Sequence, residues 1–490
     1  MSAVNLLIPK LMYTTFQSKK FHSVWILLVV LGLVLPFSGC SPQSGAEYSS
    51  GFRTGGTEGA RLSVFLNVKE SSGPQVWLRI TDIEIRKDNL WTSIASKPLE
   101  VEVGRMDWGQ AMLAGGPLTP GRYDSLRITF DKAAIHRQGK LVFLSLQRPV
   151  LEIPISPAID LKKHDSQSIF VTWDVAASIA GTAFIDPVMS AAPQSIPLVA
   201  DLAYAACPDI DTLYVVRTDK GRVCGSMGIT GRPTYLALDR SRNRLYVLAT
   251  DESAIKVIEL STSRLVDVIR VPLTTEPGFM TLSPDGIWAY ILDERGHYLI
   301  RMDLRSGSLA GRVRLGSRPE YVIYLPDHQR LAVSTAFSQT VFLLNPEDLT
   351  IKETVSVGSS PQGLLVWKDF LYITESASNT ISIYDLGRRK MKGSLNVGFC
   401  PRRLFMSRGH IYVTNFEGGS VSVLLPGQIS VLKEIRVGGT PMEMASSVNR
   451  RWLYVGNQGS QEVTVIDLTP GRLAGRIALG SAPLGLAVIE

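Results

Sequence analysis

Residues 398–441 read GFCPRRLFMSRGHIYVTNFEGGSVSVLLPGQISVLKEIRVGGTP, and the fold turns on this stretch. A Gly-x-x-Pro opens it (Gly398 to Pro401) and a second one closes it (Gly438 to Pro441). Between them lie short apolar or alternating runs such as Ile411-Tyr412-Val413-Thr414-Asn415 and Lys433-Glu434-Ile435-Arg436-Val437. Turn-forming residues separate the runs and no 3.6-residue period links them, which is the pattern of short strands.

The same unit recurs on both sides. Prolines stand at 233, 277, 319, 361, 401, 441 and 483, spaced by 40 to 44 residues, and those at 319, 361, 401, 441 and 483 each close a Gly-x-x-Pro. An apolar–Tyr–aliphatic run follows in nearly every unit: Leu245-Tyr246-Val247, Ala289-Tyr290-Ile291, Leu371-Tyr372-Ile373, Ile411-Tyr412-Val413 and Leu453-Tyr454-Val455. Leu331-Ala332-Val333 keeps the register and loses the tyrosine. A third strand ends in Asp or Asn, as in Ile381 to Asp385 and Val463 to Asp467. Four strands in a repeat of this length make one blade of a β-propeller. Blades bury their faces only by stacking, so the ring has to close.

Six units fit between Pro233 and Pro483, and a seventh must be built from both ends. Tyr204 lies as far before Pro233 as Tyr412 lies before Pro441, and Asp211 to Val216 matches Asn379 to Tyr384. Residues 197–231 thus supply three strands, and Leu484 to Glu490 (LGLAVIE) supplies the innermost one. The expected fold is all-β: a seven-bladed β-propeller closed by the C-terminal strand, preceded by an antiparallel β-sandwich. Ile411-Tyr412-Val413-Thr414-Asn415, with Leu453-Tyr454-Val455-Gly456-Asn457 close to it, resembles the YVTN-type propeller repeats of bacterial and archaeal surface proteins. The resemblance covers about residues 198–490 and implies the fold; propellers host binding, scaffolding and catalysis alike.

Residues 60–196 lack that period. Alternation in Val76-Trp77-Leu78-Arg79-Ile80 shifts phase across Thr81-Asp82 to Ile83 and Ile85, as a β-bulge would make it do. Leu126, Ile128 and Phe130 share one strand face; Ile169, Val171, Trp173 and Val175 share another. Asp107 to Ala114, stopped by Gly115-Gly116, is the one stretch that reads as a short helix. Some eight strands in this length predict the sandwich. Leu62-Ser63-Val64, Val76 to Arg86 with Trp91, Leu118 to Arg127 and Val171 to Ile179 resemble an uncharacterised β-sandwich family of bacterial lipoproteins.

Val24 to Phe37 (VWILLVVLGLVLPF) is an apolar run of 14 residues behind Lys19 and Lys20, too short for a comfortable membrane span. It ends in Ser38-Gly39-Cys40, which resembles the lipobox of bacterial lipoproteins; Phe37 stands where Leu, Val or Ile is usual. The resemblance implies a lipid on Cys40, a leader over residues 1–39 that starts at Met1 or Met12, and a membrane as partner. Residues 40–59 are Gly/Ser-rich, the composition of a flexible tether. The sandwich then spans 60–196 and the propeller 197–490. The expected location is the bacterial cell envelope, lipid-anchored; in a two-membrane cell the outer membrane, facing the periplasm or the cell exterior, is one placement.

Composition removes several classes. Apolar residues make up 45% and charged residues 19%, enough for a core. Net charge is +7, of which Lys10, Lys19 and Lys20 carry three ahead of Cys40; the remaining basic residues are scattered rather than striped, which argues against nucleic acid. Four cysteines exclude a disulfide-dense scaffold. With Cys40 lipidated, Cys207, Cys224 and Cys400 form an odd set, so at least one thiol stays unpaired within a monomer. The six histidines show no metal-ligand spacing, and no HExxH, CxxC, CxxCH, Walker A or GxSxG occurs. No catalytic residue, metal or cofactor is expected.

The residues just after each repeat proline should ring the channel mouth, among them Glu320, Gln362, Arg402, Arg403 and Glu443, with Tyr235, Phe279 and Tyr321 between. Their mixed character predicts variable loop ends around a watery channel rather than a fixed anion or metal site. The leading function is a non-catalytic binding or scaffold surface, with an envelope protein or a polysaccharide as partner and the chain a monomer. A first rival is an enzyme of the lactonase or amine-dehydrogenase type, with Glu320, Glu443 or His297 as base or ligand. A second is a structural spacer of the cell surface.

Overall fold

The second-strand tyrosine of the repeat is a latch between blades. Tyr204, Tyr290, Tyr372 and Tyr454 bury their rings between neighbouring sheets, and a buried phenol still needs a hydrogen-bond partner. Each finds one in the next blade. Tyr290 donates to Pro346 O (3.1 Å), Tyr454 donates to Thr218 O (3.3 Å), Tyr372 accepts from Gly427 N (2.7 Å), and Tyr204 shares a bond with Ser263 Oγ (3.2 Å).

The computed structural model describes residues 59–490, except 70–74, 96, 182, 198–199, 317, 448, 450 and 490. The leader, Cys40 and all of the tether but Gly59 lie outside the described residues. Among the described residues, seven four-stranded antiparallel sheets follow one another. The inner strands of blades 2 to 7 are Pro233–Asp239, Pro277–Leu282, Pro319–Leu325, Pro361–Trp367, Pro401–Ser407 and Pro441–Ser446. Blade 1 takes its inner strand from the other end of the chain. Gly485–Ile489 pairs antiparallel with Leu202–Cys207, and Thr212–Arg217 and Arg222–Gly228 complete the sheet. Each inner strand touches the inner strands of both neighbouring blades, so the ring is shut.

Residues 60–193 form a curled, mostly antiparallel assembly of twelve strands. The long strand Gly121–Arg137 places Leu126, Ile128 and Phe130 in the core, where Ile169, Val171 and Trp173 join them. The pairing of Val76–Lys87 with that strand shifts register between Ile80 and Asp82, the expected bulge. Two expectations need correction. Ala60–Val68 runs parallel to Ser166–Asp174, so the sheet is mixed; the long chain between them allows the crossover that parallel pairing needs. Asp107–Ala114 is not a helix either. A single 3₁₀ turn, Asp107–Gly109, leads into the strand Gln110–Leu118, and Gly115-Gly116 lies inside that strand. Pairing with Ala60–Val68 overrides a local helical preference there.

This layer covers the outer strand of blade 1, which would otherwise expose an unpaired sheet edge. Gln110 accepts from Val223 N (2.8 Å) and donates to Val223 O (3.0 Å), much as a paired strand would. Gln194 Oε1 accepts from Ser168 N and Ser226 N, both at 2.9 Å. Ser63 Oγ and Tyr214 OH lie 2.8 Å apart beneath Phe65, which stacks on Phe170. Cys207 and Cys224 are free thiols; burial raises both, Cys224 to about 12, which makes them inert. Among the described residues no helix is long and apolar enough to cross a membrane.

Candidate functional site at the channel mouth

The repeat motif itself positions the channel residues. In blades 5, 6 and 7 the register between inner and second strands shifts just after the proline, between Pro401 and Leu404 in blade 6. Two consecutive residues are thereby released from strand alternation, and both Arg402 and Arg403 line the mouth. The threonines of the second strands fix their backbones. Arg403 N donates to Thr414 Oγ1 (3.0 Å), and Thr374 Oγ1 donates to Arg402 O (3.0 Å). Asn415, the last residue of the same motif, ties its strand to the next by donating to Ser420 and Ser422 Oγ (2.9 and 2.8 Å). Gly363 permits close approach of blades 5 and 6, since a Cβ there would lie 2.3 Å from Arg402 O.

The side chains so placed are packed. Gln362, Arg402, Arg403 and Glu443 are 3%, 7%, 7% and 8% exposed, in contrast to the expected watery channel with variable loop ends. Tyr235, Phe279 and Tyr321 close ranks, with ring centroids 3.9 and 4.2 Å apart. Arg403 lies over the Tyr321 ring at 4.4 Å and donates through Nε to Glu443 Oε1 at 2.5 Å. Arg402 donates to Gln362 Oε1 (3.1 Å) and sits 4.9 Å over the Phe416 ring. A planar guanidinium suits such stacked, forked contacts better than an ammonium. Tyr235, Phe279, Arg402, Arg403, Phe416 and Glu443 line a cavity of about 120 Å³.

A second ion cluster borders the cavity. Arg318 Nη2 lies 2.7 Å from Glu294 Oε2, and its Nε lies 3.4 Å from Glu320 Oε1. Burial first, and then the facing Glu320 carboxylate, push Glu294 up to about 7, although Arg318 opposes the shift. Its ordinary value is 4.5, so between about pH 4.5 and 7 the folded chain holds a proton the unfolded chain has lost. Stability should therefore fall as pH rises through that window and level off above it, by roughly 1–3 kcal/mol from this group. Urea unfolding at pH 5 and pH 8 measures the difference. Glu294→Gln should flatten it, and equal slopes in both proteins would disprove the assignment.

Glu320, Gln362, Arg402, Arg403 and Glu443 all belong to this mouth. Gln362 contacts Arg402 from behind, and the other four line the cavity. His297 does not reach it: it sits in the turn after Asp293, where its carbonyl accepts from Leu315 N (2.9 Å). Glu294, two residues short of that turn's Gly296, is the carboxylate that does line the mouth. Sequence reasoning also passed over Arg232, Glu276 and Arg318, each immediately before a repeat proline, and Phe416 and Gln458, each just past a second strand. Among the described residues no group of three or more His, Cys, Asp or Glu could hold a metal ion.

No family model matches the chain, and no curated protein matches it. Solved structures do. A protein of unknown function from Desulfotomaculum acetoxidans aligns at 14% identity and a TM-score of 0.54, covering 59% of this chain and 99% of that one. A candidate 6-phosphogluconolactonase from Bacteroides fragilis aligns at 14% identity and 0.52, covering 61% and 100%. A periplasmic gluconolactonase from Pseudomonas aeruginosa aligns at 19% identity and 0.50, covering 59% and 99%. At these identities the likeness is one of fold.

Proposed function

We propose that the chain is a lipid-anchored protein of a bacterial envelope whose YVTN-type propeller is a non-catalytic binding unit, with the channel mouth as its ligand site. The observation that supports it is the state of the mouth's ionised side chains. Glu443 is held by Arg403, and Glu294 and Glu320 by Arg318, so these carboxylates are restrained rather than free to attack or to bind a metal. Pre-organised polar groups and aromatic faces around a small cavity are what a binding site needs. A cavity of about 120 Å³ admits a small molecule. An envelope protein or a polysaccharide would have to use the loops around it, and the chain would do so as a monomer.

Anchoring has its own test. Cys40→Ser should move the protein from the membrane to the soluble fraction on cell fractionation. A variant that stays with the membrane and is processed normally would overturn the lipid anchor.

A second reading, lactone hydrolysis, draws on Glu294, a carboxyl poised near neutral pH, and on two neighbours named as lactonases, one a candidate 6-phosphogluconolactonase and one a periplasmic gluconolactonase. Acid release from δ-gluconolactone by the detergent-solubilised full chain separates the two readings. Binding without turnover supports the first. Turnover that Glu294→Gln abolishes supports the second.

A further inference from the structure

Arg402 is an unusual buried cation. It is 7% exposed, and among the described residues no carboxylate oxygen lies within ion-pair distance of it. Its protein hydrogen bond goes to the neutral Gln362, and its Nε has no partner. A guanidinium out of water and without a carboxylate in contact is costly, and burial lowers its pKa even though the Glu320 and Glu417 carboxylates oppose the shift from beyond contact distance. Arg403, next in sequence, spends Nε on Glu443 and leaves Nη1 unpartnered, also nine-tenths buried. Both side chains line the same cavity. Two buried guanidinium edges with unspent N–H donors face a space sized for a small molecule.

We infer that the channel mouth holds a subsite for a small carboxylate monoanion, with Arg402 as its cation and Arg403 Nη1 as a further donor. The inference rests on the binding reading above and names the ligand class. Charge balance favours a monoanion. Arg232, Arg318, Arg402 and Arg403 share the cavity wall with Glu276, Glu294, Glu320 and Glu443. Glu294 is pushed up to about 7 and so is part-protonated near neutrality, which leaves a modest positive excess. One negative charge is offset there; the second charge of a phosphate would meet the remaining glutamates. Guanidinium–carboxylate bonds are charge-assisted and forked, which supplies orientation as well as affinity.

Titration calorimetry on the detergent-solubilised full chain tests this, with D-gluconate, L-lactate, inorganic phosphate and neutral D-glucose as probes. At least one of the two carboxylates should bind, and phosphate should bind at least tenfold more weakly. Arg402→Gln should weaken the carboxylate about ten- to hundredfold, the worth of a charge-assisted bond. The same substitution removes a cation that has no carboxylate of its own, so the melting temperature without ligand should rise by about 2–4 °C. A variant that binds carboxylate like the wild type, or that melts lower, overturns the inference. So does phosphate binding as tightly as the carboxylates. Glucose binding without carboxylate binding sinks the anion subsite and leaves the binding reading intact; no binding by any probe at millimolar concentration sinks both.

Discussion

Deleting residues 485–490 will open the propeller. Gly485–Ile489 is the inner strand of blade 1, and its five register pairs with Leu202–Ala206 join the two ends of the ring. Leu486, Ala487 and Val488 are buried there, against blade 2 on one side and blade 7 on the other. Burial of the two larger side chains stabilises the fold by about 3–6 kcal/mol. The strand's ladder bonds add about 1 kcal/mol each. The sum approaches the whole stability of a typical domain, about 5–15 kcal/mol. Truncation should therefore abolish a single cooperative urea transition and leave the inner strands of blades 7 and 2 open to protease. A synthetic LGLAVIE peptide added in trans should restore protection, because the groove it fills has defined register. An unchanged urea midpoint in the truncated chain would show that ring closure does not hold the fold.

That closure was readable because a repeat imposes its own arithmetic. Seven prolines at near-constant spacing define a phase, and the phase assigns residues 197–231 a sheet lacking its inner strand. The preceding layer offers no phase. Gln110 illustrates the loss. It reads as a helix residue in DWGQAMLA, yet its amide completes the edge of a strand more than a hundred residues away. Local propensity is a weak prior where a distant strand supplies the hydrogen bonds. The parallel pairing of Ala60–Val68 with Ser166–Asp174 was hidden for the same reason: alternation sets which face is buried, not which neighbour lies alongside.

The mouth was legible in position and misread in character. Counting one and two places beyond each proline gives Glu320, Arg402, Arg403 and Glu443 on the cavity wall and Gln362 behind it, and in blades 6 and 7 the bulge at the strand start turns both residues inward. It missed Arg318 and Glu294, which enter from the residue before a proline and from the end of a second strand. The shared signal is the motif's frame: the two positions flanking the repeat proline and the position after the second strand all converge on the axis. Mixed composition does not make a watery channel here. Opposite charges and aromatics from different blades instead pack against one another, Arg403 reaching from blade 6 to Glu443 of the adjacent blade 7 and to Tyr321 of blade 4, two blades away.

That contact carries the second large effect. In Arg403→Met the Glu443 carboxylate keeps its buried place and loses its ion partner, while the Tyr321 and Phe279 ring faces lose the cation above them. Breaking one half of a buried pair typically costs about 3–5 kcal/mol, most of it the desolvated charge left behind. Adding Glu443→Leu removes that charge, so Arg403→Met with Glu443→Leu should regain most of the loss and can exceed the wild type, as apolar replacements of buried pairs often do. Urea unfolding of the two single variants and the double variant forms the cycle, and their coupling should be at least about 1–3 kcal/mol for groups in contact. Additive losses would mean that the pair is not the unit that closes the mouth. The large coupling expected here would show that blades 4, 6 and 7 are held at the axis by charge.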